Sequence, residues 1–369
     1  MARAPLHAHN RTMPAVRPSR APQDAAAWQA LDMLCRLGLG LAPIAAEVCA
    51  LLRQLVGADA AALFWLHDDG QPAGFHHEDS PASVRNLFLN EFHLFAAPGE
   101  PNIVALARPD GPRVGRLLSP GAAHYRSNSH NLLMRPNGHE HTLDLRVEAQ
   151  GRPRAVAALF RAPGPGFSDE QAARLERAGA SLARAFRTGA DQDNIAQATG
   201  HVLLDSDGCR PLMADAAALH LLQNAHLPGL GLHGATTADL PVDLPRHLHL
   251  RPGEQRHIPV PGGLLHARIH ALQPLAGTPS ASGAAQWLLT LQLQRPQQID
   301  VVRRVLALPL TPLQREIAVL AGLGHARADS LALTGVSNAA LKKHLATILD
   351  VAGANDWEGL ARTLRPQPS

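Results

Sequence analysis

The chain has only three cysteines in 369 residues, Cys35, Cys49 and Cys209. They are odd in number, widely spaced and contain no C-x-x-C, which excludes a disulfide framework and a cysteine zinc site and fits a reducing cytoplasm. Aromatic residues make up 4% of the chain, with a single tyrosine, too few for a stacking platform on single-stranded nucleic acid. No run approaches the ~20 apolar residues that span a bilayer, so no membrane association is expected. Charge of one sign is also scarce: 34 Lys+Arg against 31 Asp+Glu leave +3, so an argument for nucleic acid has to be local. G-x-S-x-G, H-E-x-x-H and a Walker A loop are absent from the sequence, and the chain reads as a non-enzyme.

The 46% of hydrophobic residues and a length suited to two or three domains predict α+β architecture in series. Residues 1–25, with Arg3, Arg11, Arg17 and Arg20 among prolines but no apolar stretch of a signal peptide, read as a disordered basic arm. Residues 26–188 form the first α+β domain. Apolar residues at helical spacing run from Trp28 to Val56 and stop at Gly57. A strand follows over Ala60–Leu66. Leu143, Leu145 and Val147 alternate with Thr142, Asp144 and Arg146, then Gly151 turns the chain into a second strand ending at Phe160. Ser168 and Gln171 form a capping box that opens a helix with Leu175, Leu182 and Phe186 on one face.

Residues 189–299 form a second α+β domain. Its signals are a strand over His201–Leu204, a turn over Asp205–Gly208 and a helix over Ala216–Leu222. Two further strands show period-2 alternation. One buries Leu265, Ala267, Ile269 and Ala271, the other Trp287, Leu289, Leu291 and Leu293, and a polar loop over Thr278–Gly283 separates them. These two strands are the expected wall of an apolar ligand pocket. No sequence repeat relates the two domains, and the helices Ser168–Phe186 and Ile299–Leu308 are expected to connect the parts.

Residues 300–369 change character to compact helical signals. Thr311-Pro312-Leu313-Gln314 joins an N-cap hydroxyl, a proline at the first helical position and a Gln that reaches back to the cap. Ile317, Leu320 and Ala321 give that helix its inner face. Ser337 caps a later helix, stapled by Val336 and Leu341. There Leu341, Leu345 and Ile348 form the apolar stripe, while Ala339, Lys342, Lys343 and Ala346 lie opposite. Lys342 and Lys343 are the only lysines in the chain.

The sequence from Leu310-Thr311-Pro312 through Arg315-Glu316-Ile317, Gly324, Gly335-Val336-Ser337 and Leu341-Lys342-Lys343-His344-Leu345 to Ile348 and Gly353 resembles the LuxR-type helix-turn-helix of bacterial transcription regulators. The resemblance implies a scaffold helix over Arg327–Thr334 and a recognition helix over Ser337–Asp350 that lies in the major groove of double-stranded DNA. It assigns DNA contact to Ser337, Asn338, Ala339, Lys342, Lys343, His344 and Ala346. The helix-turn-helix core is Ile317, Leu320, Val336, Leu341, Leu345 and Ile348. A homodimer is expected, because one recognition helix reads a half-site.

The segment Ala155–Phe186, with Phe167-Ser168-Asp169-Glu170 opening its helix, resembles the end of GAF-type sensor domains. The strand, turn and helix from His201 to Leu222 resemble a PAS domain. Together these resemblances imply a cytoplasmic regulator whose sensor domains answer to a small-molecule or protein signal. The competing reading is a protein–protein regulator with a decayed helix-turn-helix. It rests on departures from the family pattern at Ser330-Leu331, Thr334, Ala339-Ala340 and Asp350-Val351. The pairs His139/His141 and His247/His249, and the run His76-His77-Glu78-Asp79, are what a chain with 21 histidines produces by composition. No spacing fixes a third ligand, so neither metal nor cofactor is expected. Cys35 and Cys49 read as helix-buried thiols rather than a redox pair.

Overall fold

The computed structural model of the protein describes residues 20–95, 102–117, 121–187, 194–232, 236–273 and 286–365. The loop over Thr278–Gly283 and most of the N-terminal arm lie outside them. The first unit contains α1 (Arg20–Arg36), α2 (Ala45–Val56), β1 (Ala60–Leu66), β2 (Pro72–His77), α3 (Ala82–Asn90), α4 (Ile103–Leu106), β3 (Val114–Gly115), β4 (His141–Ala149), β5 (Arg152–Arg161) and α5 (Asp169–Arg184). The second contains β6 (Asn194–Leu204), β7 (Pro211–Ala214), α6 (Ala216–Asn224), α7 (Leu244–His247), β8 (Gln255–Val260), β9 (Gly263–Leu272) and β10 (Gln286–Pro296). The C-terminal helices are α8 (Gln297–Ala307), α9 (Pro312–Gly322), α10 (Arg327–Thr334), α11 (Asn338–Ala352) and α12 (Trp357–Leu364).

Each α+β unit holds one five-stranded antiparallel sheet, ordered β2-β1-β5-β4-β3 and β7-β6-β10-β9-β8. Taken in local order, both sheets run 2-1-5-4-3. A common plan therefore underlies two segments with no sequence repeat.

Residues 20–25, read with the basic arm, open α1, and Arg174 Nη1 meets Asp24 Oδ2 at 3.1 Å. The helical stretch from Trp28 to Val56 is two helices, because Gly38 and Gly40 between them sit at φ 69° and 75°, a conformation that interrupts a helix. The first sheet is buried on both faces, so its strands have two apolar sides. Ala61, Leu63 and Trp65 of β1 and Ala155, Ala157 and Leu159 of β5 join the core formed with α1, α2 and α5. Their alternates Ala62, Phe64, Ala158 and Phe160 join a separate cluster on the other face. On β4 the polar alternates Thr142, Asp144 and Arg146 are buried as well. Arg146 Nη1 donates to the carbonyl of Gly111 at 3.0 Å, so the segment preceding β3 covers that face.

The second unit has its own core around Leu222, Leu265, Ala267, Ile269, Leu289 and Leu291. Ala271, placed on the buried face by alternation, is exposed, because the burial pattern of β9 ends with Ile269. Hydrogen bonds tie this unit to the first. Asn86 Nδ2 donates to Leu232 O at 2.8 Å, Asn90 Nδ2 to Gly231 O at 2.7 Å, and Gly229 N to Leu89 O at 2.8 Å. A Cβ on Gly231 would stand 2.9 Å from Asn86 O, so glycine is required there for the close approach. The chain enters this unit and leaves it side by side, with Asn194 paired to Pro296.

From there α8 returns to the first unit. Ile299, Val302 and Val305 of α8, and Ile317 and Ala321 of α9, belong to the same continuous core as Leu31, Leu34, Leu52 and Leu63. Arg303 pairs with Glu47, and Gln29 Nε2 donates to Pro312 O at 2.7 Å. The helices α5 and α8, expected as connectors, are thus core elements of one apolar body. Leu320 is half-buried rather than part of the inner face of α9. That stripe runs through Gln314, Ile317, Ala318 and Ala321, a spacing of i, i+3, i+4 and i+7 that leaves Leu320 to one side.

Two outcomes follow from this packing. Ile317→Ala should lower unfolding stability by about 2–5 kcal/mol and reduce amide-exchange protection in α1 as well as in the C-terminal helices. A reduction confined to the C-terminal helices would contradict a shared core. His226 is buried against the first unit, with Nδ1 3.2 Å from Phe75 O, and burial lowers its pKa to about 4. The unfolded chain therefore takes up a proton that the folded imidazole refuses as the pH falls below 6.5. Stability should drop by about 3 kcal/mol between pH 6.5 and 4 from this group. His226→Asn, which tolerates the φ of 50° at this position, should flatten that part of a denaturation-versus-pH profile.

Candidate functional site

The C-terminal helices begin at caps that the sequence supplies. Gln314 Oε1 accepts the Thr311 amide at 2.9 Å and starts α9. α10 occupies Arg327–Thr334 and ends at Gly335, φ 68°. Ser337 Oγ accepts the Ala340 amide at 3.2 Å and starts α11. Leu341, Leu345 and Ile348 are buried, and Val336 packs against them half-exposed. Trp357 Nε1 donates to His325 O at 2.9 Å, tying α12 to the turn after α9.

Two hydroxyl side chains of α10 are satisfied internally. Buried Ser330 Oγ donates to Ala326 O at 3.3 Å, and Thr334 Oγ1 to Ser330 O at 2.6 Å. Hydroxyls bonded within their own helix leave no unpaired donor beneath it. On α11, Ser337, Asn338, Ala339, Lys342, Lys343 and Ala346 are exposed and His344 is half-buried. The two lysines stand among small side chains, and Asp350 is exposed one to two turns further on.

A second site lies on the outer face of the first sheet, which sequence reasoning missed. Six of the eight phenylalanines, Phe64, Phe75, Phe88, Phe92, Phe95 and Phe160, line one apolar cavity of about 70 Å³. Phe64 and Phe75 stack at 5.5 Å between centroids, and Phe75 and Phe88 meet edge-on at 4.9 Å. A π-helical turn over Ser129–Met134 supplies further lining from Leu133 and Met134. The whole-chain aromatic content hid this concentration, although Phe88, Phe92 and Phe95 recur four and three residues apart. By contrast, the buried faces of β9 and β10, the expected pocket wall, are filled by leucines of the second unit.

His77, at the end of β2, and His139, just before β4, both line this cavity. Each ring stacks on Phe160, at 5.0 and 5.1 Å. The backbone of the His139 segment is held by His139 N to Met134 O at 3.1 Å and Glu140 N to Arg161 O at 2.8 Å. Asp79, in the turn after β2, lies 3.0 Å from His77 Nδ1 and 3.6 Å from His139 Nε2. The hydrogen bond to His77 holds the Asp79 carboxyl below its ordinary range, while burial lowers the His139 pKa and keeps that ring neutral. Neighbouring Glu78 is turned away, accepting the Ala61 amide at 3.0 Å and pairing with Arg53 at 3.2 Å. Along the sequence, neither the run His76–Asp79 nor the pair His139/His141 stands out from composition. Folding brings one histidine of each to the same place.

No family model matches the chain, and no curated protein matches it. Among solved structures, the Stigmatella aurantiaca phytochrome photosensory core module aligns at 16% identity and TM-score 0.27, over 47% of this chain and 38% of that one. The sensor region of a sensor histidine kinase aligns at 13% identity and TM-score 0.16, over 75% of this chain and 93% of that one. Superpositions this loose assign neither fold nor function.

Cys35 and Cys49 are buried free thiols. Burial pushes Cys35 up to about 12 and Cys49 upward as well, so neither forms the thiolate that reacts. Cys209 is exposed. A thiol-reactive disulfide reagent should therefore label one cysteine per native chain and three in denaturant, and Cys209→Ser should remove the native signal.

Proposed function

We propose that the chain is a DNA-binding transcriptional regulator of LuxR type, acting in the cytoplasm as a homodimer on double-stranded DNA. Its GAF-like and PAS-like α+β units answer to a small-molecule or protein signal. The observation that carries this reading is the outward face of α11. It places Lys342 and Lys343, the chain's two lysines, beside Asn338, Ala339 and Ala346, all exposed. An exposed helical face with short side chains enters a major groove without obstruction, while the ammonium groups meet phosphates. The satisfied hydroxyls of Ser330 and Thr334 support a sound scaffold helix and weigh against the decayed alternative.

The sensor reading is supported by two antiparallel units of one strand order and by a phenylalanine-lined cavity in the first, a mostly apolar concavity of the kind ligands occupy, though small. Because α8 and α9 share the first unit's core, a displacement of α1 reaches the DNA-binding helices directly. A ligand shifts such an equilibrium only by its differential affinity for the two states.

The experiment is selection of bound duplexes from a random library with the full chain, followed by affinity measurement across a salt series. Changing Lys342 and Lys343 together to Ala should weaken binding and reduce the slope of log K against log salt by about 0.9 for each phosphate that is no longer neutralised. Thermal stability should be unchanged, since both side chains are exposed. Failure of the full chain to enrich any duplex at low salt favours the protein–protein reading instead. Enrichment that survives the double substitution with an unchanged salt slope removes α11 as the DNA-facing helix.

A further inference from the structure

We propose that His77, Asp79 and His139 form a binding site for one first-row divalent transition-metal ion at the rim of the phenylalanine cavity. Each residue offers one ligand atom, and the three atoms lie within 4.8 Å of one another. Atoms bound tetrahedrally at ~2.0–2.2 Å from one ion stand about 3.3–3.6 Å apart. His77 Nδ1 lies 3.0 Å from Asp79 Oδ1 and His139 Nε2 lies 3.6 Å from Asp79 Oδ2, so each imidazole is already near that spacing from one carboxylate oxygen. Two imidazoles with one carboxylate form a donor set suited to zinc, ferrous iron, cobalt or nickel rather than to the oxygen-seeking magnesium or calcium.

Hydrogen bonding alone leaves this cluster incomplete. At 3.6 Å, His139 Nε2 and Asp79 Oδ2 are beyond hydrogen-bond distance. The His139 side chain is 4% exposed, and its Nδ1, the nitrogen away from that contact, has no partner among the described residues. His77 Nδ1 faces both the Asp79 amide, at 3.4 Å, and the Asp79 carboxylate, at 3.0 Å. The first needs a lone pair on the nitrogen and the second a proton. A cation between the imidazole lone pair and the carboxylate takes the place of that proton, and the longer amide contact is given up.

The surroundings also fit. The rings stacked on Phe160 are held in place. Asp79, half exposed, gives the ion a path from solvent. Three protein ligands leave a coordination position open, and the cavity lined by His77 and His139 is where a small neutral ligand would reach it. The site is independent of the DNA-binding reading, since it can be loaded without DNA.

The test uses the full chain, stripped with a chelator, incubated with zinc and passed through gel filtration, with metal content measured by mass spectrometry. Cobalt loading adds a visible d–d spectrum that reports ligand type and number. One ion per chain is expected. Affinity should fall by more than about 100-fold in Asp79→Asn and in His77→Gln, beyond the roughly 10–100-fold that removal of a mere outer-shell partner costs. Asp79 is exposed enough for its variant to fold, and a His247→Gln/His249→Gln variant should retain the ion. No retained ion overturns the proposal. So does an ion held equally by the Asp79 and His77 variants, which would place it on other histidines.

Discussion

The packing of α8 and α9 against α1 fixes much of the molecule. It joins the first sheet and the C-terminal helices in one apolar core, running from Leu63 and Leu159 through Leu31 and Leu34 to Val302, Ile317 and Leu341. Close-packed cores transmit displacement rather than absorb it. The polar contacts along the same boundary, Arg303 with Glu47 and Arg36 with Glu316 at 3.4 Å, set orientation. Partly exposed pairs of this kind add little energy. The C-terminal helices are thus not a free module at the end of a linker, and their apolar faces need the first unit as a partner.

The same sheet serves both candidate sites. On β1 and β5 one set of alternate residues faces α1 and α2, while the other, Phe64, Ala158 and Phe160, faces the cavity. A side chain that moves in the cavity is one peptide unit away from a side chain in the shared core. By contrast, the second unit meets the first through amide hydrogen bonds and the buried His226. An open cleft of about 990 Å³ between the two is lined by His67, Arg154, Asp243 and His249. The boundary with the C-terminal helices is thus a continuous core, whereas the boundary with the second unit leaves an open cleft.

Much of the local structure was legible in the sequence because its signals are short-range. The Ser168–Gln171 capping box opens α5 and Gly57 closes α2 in the left-handed conformation, while the bounds of α10, Arg327–Thr334, were those that the family resemblance implied. What was not legible depends on contacts between distant residues. Period-2 alternation sets Thr142, Asp144 and Arg146 apart from the apolar side of β4 without showing what covers them, and the segment that Arg146 bonds is more than thirty residues away. His77 and His139 meet only because the end of β2 and the start of β4 lie at the same end of a sheet with β1 and β5 between them. No count along the chain reveals that. The helix α8 follows the second unit in sequence yet packs with the first, so reading order and spatial order part company there.

That last feature has an evolutionary side. Asn194 and Pro296 are paired neighbours, so the second unit leaves and rejoins the rest of the chain at nearly one point. Such a geometry is that of a guest domain lodged within a host. Its acquisition, exchange or loss costs the host little more than the closure of a short gap. The host's core, being continuous across the point of insertion, would remain whole. On this plan, relatives that share the first sheet and the C-terminal helices can differ freely in what is carried between β6 and β10.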